Sequence, residues 1–150
     1  MISRLDYNGC MQWLVFASLS AVFAALTSIL AKIGIRDINS NLATAIRTSV
    51  ILVFTWGIVA AQGTFKDLPS ISKTSYLFLI LSGIATGLSW LFYFRALQIG
   101  EANKVVPIDK LSLVLTIIFA GMFLKEKITI QTMLGAALMS GGAIIIAMAK

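Results

Sequence analysis

Apolar residues fall in five long blocks separated by short polar stretches. The blocks cover about residues 11–33, 42–61, 76–98, 105–124 and 130–148. Each is close to the ~20 residues that a helix needs to cross a hydrocarbon core of ~30 Å. The separators "GIRDINSN", "QGTFKDLPSISKTS", "GEANK" and "KEKITIQ" carry turn chemistry, and none could hold a soluble domain. The pattern predicts an all-α membrane protein, a bundle of five transmembrane helices over residues 11–150.

Residues 1–10 are polar and read as an irregular tail, with Met11 an alternative start. A basic stretch followed by an apolar one resembles a signal peptide. The apolar run continues to about Ile33, however, which predicts a retained first helix.

Small residues recur at four-residue spacing. The first block has Ala17, Ala21 and Ala25, flanked by Ser20, Ala24 and Ser28. The third has Gly83 and Gly87, and the fifth has Ala137 and Gly141. This spacing lets helices approach closely in lipid. It predicts packing seams of a compact bundle, with a dimer seam at Gly83 and Gly87 as the sharper reading.

Composition removes several function classes. Of 150 residues, 59% are hydrophobic and only 12% charged. A soluble domain carries roughly 25% charged residues, so a soluble globule is excluded. The net charge is +6, but the basic residues cluster at block ends, where they anchor helices. No nucleic-acid partner is therefore expected. The chain has no histidine, and its one cysteine, Cys10, lies outside the blocks. No metal or other cofactor is expected. An enzyme is not expected either, because histidine is absent, the cysteine lies outside the blocks and no carboxylate pair faces itself at mid-membrane.

Five crossings put the termini on opposite sides. We call the N-terminal side A and the other side B. Basic residues nearly balance across the two, which leaves open a fixed orientation and insertion both ways. Charges inside the blocks do not balance. Arg47, Arg95, Asp109 and Lys110 all dip in from side B. Asp109 and Lys110 are adjacent, about 100° apart on a continuous helix, and are expected to pair poorly. Asp109 then needs Arg95 or Arg47, while Lys110 can snorkel outward. A purely structural reading is also available. Pro107 suits a first helical turn, Asp109 would sit in the favourable N-terminal field, and Arg95 lies near a helix end. Only Arg47 escapes it. "SWLFYFRAL" places Trp90, Tyr93, Phe94 and Leu97 on one face, with Trp90 nearer the midplane than an interfacial anchor would be. Phe92 and Phe94 are expected in the core.

"LATAIRTSVILV", "GIATGLSWLFYFRALQIGEANKVVPIDKLSLVLTIIFAGMFLKEKIT" and "LGAALMSGGAIII" resemble an EamA-type domain of the drug/metabolite transporter superfamily. The resemblance covers nearly the whole chain from Met11 and fits the single-domain, five-helix group. It implies one half of an inverted-repeat transporter in a bacterial or archaeal plasma membrane. It also implies a small-molecule substrate, export as the common activity, and a cavity lined by the third and fourth helices. That carries over to Trp90, Tyr93, Pro107 and Asp109. With one repeat, an antiparallel homodimer or an inverted partner chain is expected to complete the pathway, working by alternating access. Two alternatives stay open: a non-transporting subunit of a heteromeric complex, and a small-multidrug-type cation exporter. The second is weakened because the first block carries no acidic residue.

Overall fold

The computed structural model describes the backbone of residues 4–149 and the side chains of residues 11–149. Residues 1–3, Lys150 and the side chains of Arg4 and Cys10 lie outside the described residues, with the roles the sequence suggested for them.

Among the described residues, six α-helices follow in order: α1 Arg4–Gly34, α2 Ser40–Gln62, α3 Lys73–Ile99, α4 Ala102–Asp109, α5 Ser112–Phe119 and α6 Ile130–Met148. A 3-10 turn over Thr64–Ser70 precedes α3, and a π turn over Ala120–Leu124 follows α5. Five segments are long and apolar enough to cross a membrane: Met11–Gly34, Ser40–Gln62, Lys73–Ile99, Ala102–Leu124 and Ile130–Met148. The chain is thus an all-α, multi-pass membrane bundle, as the hydropathy pattern predicts. α1 starts ahead of the expected Met11. Once a helix is nucleated, extending it costs little.

Polar side chains set the helix starts. Asn39 Oδ1 accepts from the Asn41 and Leu42 amides at 2.9 and 3.4 Å, so α2 begins two residues early. Ser72 caps α3 and Thr129 caps α6. Gly63, at φ 66°, ends α2 in the left-handed conformation that glycine adopts without strain.

The fourth crossing departs from expectation. It starts at Ala102, where the Glu101 carbonyl accepts from the Lys104 and Val105 amides. Pro107 therefore lies inside α4 and not in a first turn. An interior proline removes an amide donor and crowds the preceding turn. The helix breaks just beyond it, at Lys110 and Leu111. There the Lys110 amide is shared between the Val106 and Pro107 carbonyls, at 3.3 and 3.1 Å. The Leu111, Leu113 and Val114 amides reach only three residues back. Asp109 and Lys110 sit at this joint.

The core gathers at side B. Ile35, Ala43, Phe94 and Leu97 are buried together, with Ala31, Tyr93, Ala102 and Val105 against them. Polar groups clamp the same end. Lys32 Nζ donates to the Leu97 carbonyl and, at 2.7 Å, to the Gly100 carbonyl. It thereby satisfies the carbonyl end of α3 with a cation. Gln98 Nε2 donates to the Ile38 carbonyl at 2.8 Å and the Ile35 carbonyl at 3.3 Å. Gly100 allows the tight α3–α4 turn, since a Cβ there would meet Val105 Cγ2 at 2.9 Å.

Within the single chain, Gly83, Gly87, Ala137 and Gly141 form no close-packed seam. A Cβ at Gly83, Gly87 or Gly141 would meet nothing within 4 Å, and Ala137 is exposed. On α6 the buried small residues are Ala136 and Ala143, one helix face over. Small residues occupy several faces of α6, so spacing alone does not select the face that packs. Phe94 is buried as expected, but Phe92 is 73% exposed and faces outward.

Replacing Lys32 by Met removes both cationic donors and leaves two carbonyls at the end of α3 without them. We expect a loss of about 2 kcal/mol in stability, measured by denaturant titration in mild detergent. An unchanged unfolding midpoint would show that the clamp does not hold the side B end.

Candidate functional site

A cavity of about 520 Å³ lies between α1, α2, α3 and α4. Its deep layer follows from helix register. Ser28, Arg47, Tyr93 and Asp109 each lie six or seven residues from the side B end of their helices. At ~1.5 Å per residue this puts them at a common depth of ~10 Å. The side B core closes the cavity beyond them.

Arg47 is the central charge. Its guanidinium carbon lies 4.3 Å from the Trp90 ring centroid and 5.3 Å from that of Phe94. The cation rests on aromatic faces, which stabilise it where water is scarce. Among the described residues it forms no ion pair, and its N–H groups make no hydrogen bond. A planar fork of free donors at a cavity wall suits a carboxylate or a similar oxyanion.

Asp109 does not turn to Arg47 or Arg95. It pairs with its neighbour Lys110 at 3.3 Å. The expected poor pairing assumed a continuous helix, and the break at Lys110 removes that geometry. Two cations and one carboxylate line the cavity, leaving one net positive charge.

Tyr93 adds a polar acceptor. Its hydroxyl lies 2.7 Å from Ser28 Oγ, which donates to the Ala24 carbonyl at 2.9 Å. With the single serine proton committed, Tyr93 donates to Ser28. Its own oxygen lone pairs stay available at the cavity wall.

The structure thus brings together Arg47, Trp90, Tyr93, Asp109 and Lys110. It does not bring in Arg95 or Pro107. Arg95 Nη1 donates to Gln98 Oε1 at 2.8 Å, supporting the side B clamp. Pro107 lies inside α4, two residues before Asp109, and does not line the cavity. Sequence reasoning missed Ser28 and Ser89 as lining residues. The α1 stripe with Ala17, Ala21 and Ala25 lines the cavity too, where tight packing was expected. Small side chains here leave room. Equal depth from the helix ends was the signal that could have linked Ser28 to Arg47.

The EamA-like transporter family matches residues 11–148. The chain belongs to that family. A relative from Sinorhizobium sp., named "Uncharacterized transporter in cobO 3'region", is 50% identical over 135 residues. Those residues cover 90% of this chain and 96% of the relative. That relative is therefore about as long as this chain. No solved structure matches the chain.

If the cavity of this EamA-like domain holds water, a thiol at Ala24 should react and one at its neighbour Phe23, 65% exposed on the outer face, should not. Thiols react as thiolates, which form only where water reaches. In a Cys10→Ser background, a water-soluble thiol reagent should label Ala24→Cys at least about tenfold faster than Phe23→Cys. Equal rates would mean a dry cavity.

Proposed function

We propose that the protein is a secondary transporter of small organic anions, exporting them across the plasma membrane as a dimer by alternating access. One observation carries the substrate charge. Arg47 presents unpaired donors to a membrane-embedded cavity with one net positive charge. Asp109 holds Lys110 beside the site. The same charge balance argues against a small-multidrug-type cation exporter, which needs a surplus of anionic groups.

The cavity also supports the dimer. Toward side A its lining from Ala17 to Ala21 comes from α1 alone, because Ser89 and Trp90, the α3 lining residues farthest from side B, lie level with Ala24 and Ala25. A second copy inserted upside down would cover this open half and bring its own Arg47 layer from the opposite leaflet. Inverted repeats flanking a midplane site have this arrangement. An inverted partner chain would serve the same purpose.

Reconstituted vesicles test the reading. Wild-type protein should catalyse counterflow of at least one compound from a panel of radiolabelled mono- and dicarboxylates and amino acids. Arg47→Gln should lower that flux at least about tenfold, as expected for loss of a charged contact to the substrate. Arg95→Gln should weaken stability more than flux. Flux that persists in Arg47→Gln would overturn the assignment.

A further inference from the structure

A second cavity of about 580 Å³ lies on the other side of α3, between α3, α4 and the end of α6. Its walls are mostly apolar, formed by Phe92, Ala96, Val105, Ile108 and Ala147, with the Glu101–Lys104 ion pair lining its side B end. The two cavities share three residues: Ser89, Tyr93 and Asp109. They therefore meet at one partition, cationic on one side and greasy on the other. Ser89 carries the smallest side chain of the three. Tyr93 is tethered to Ser28 and Asp109 to Lys110, so both hold their polar atoms toward the cationic side.

We propose that the substrate is an amphipathic organic acid. Its carboxylate sits at Arg47, and its hydrocarbon portion passes Ser89 into the apolar cavity. This deepens the transport reading and rests on its assignment of Arg47. The second cavity opens among outward-facing residues, Phe92 at 73% and Ile108 at 42% exposure. Such a molecule, dissolved tail-first in the side B leaflet, enters sideways between α3 and α4. The volume is large enough for a chain of several methylenes or one aromatic ring.

Binding can be read without transport. In a Trp13→Phe, Trp56→Phe background, Trp90 is the one remaining tryptophan. Its fluorescence in lipid nanodiscs reports titrations with straight-chain carboxylates from butyrate to octanoate. Affinity should rise about fourfold per added methylene, the value for burying one in an apolar site. Ala96→Phe fills the apolar cavity from α3, and Ala147→Phe fills it from α6. Each should flatten the series while leaving butyrate affinity unchanged. The same slope in both filled variants would mean that the tails enter only the bilayer, and would overturn the proposal. So would a flat series or no response in the unfilled protein. Arg47→Gln should weaken every acid equally. If it does while the unfilled series is flat, the anion site stands and the amphipathic substrate falls. If butyrate binds undiminished without Arg47, the anion site falls as well.

Discussion

Lys32 reaches across from α1 to the carbonyls of Leu97 and Gly100 at the end of α3, and the rest of the architecture hangs on that contact. In lipid, apolar faces gain little by meeting each other, so polar contacts and close packing decide how helices associate. Here both concentrate at one end. The clamp fixes the height of α1 against α3. It thereby sets Ser28 against Tyr93 and lays the small-residue face of α1 across from Arg47 and Trp90. Toward side A the helices share no buried core among the described residues except on α6. The molecule is tight where the cavity closes and loose where it opens.

That asymmetry gives each charge a task. Arg95 and Gln98 brace the turn between α1 and α2. Lys110 neutralises Asp109 at the break in the fourth crossing. Among the described cations that line the cavity, Arg47 keeps its donors free, stabilised by two aromatic rings. A cation retained at such depth without a carboxylate is costly unless it meets an anion or water during function. A broken helix beside it offers a joint about which the two halves of the crossing can tilt, and interrupted helices recur at substrate sites of transporters.

The five crossings were legible because hydropathy over ~20 residues is a strong signal, and the clustering of in-span charges toward one leaflet was legible for the same reason. Finer points depended on phase, which composition does not encode. Pro107 was visible, but the polar run Glu101–Lys104 hid the true helix start and so its interior position. Ala136 and Ala143 could not be told from Ala137 and Gly141, because several faces of α6 are small. Arg47 and Arg95 looked equivalent by depth. Their different neighbours separate them: Trp90 and Phe94 for one, Gln98 for the other.

The central claim is that one chain supplies half of a pathway and an inverted second copy supplies the rest. Membrane orientation tests it most directly. In a Cys10→Ser background, a single cysteine is added after Lys150, and intact cells are treated with an impermeant thiol reagent before and after permeabilisation. The account predicts two populations, with about half of the chains labelled from outside, as the nearly balanced loop charges permit. Labelling that is complete, or absent until permeabilisation, would contradict it.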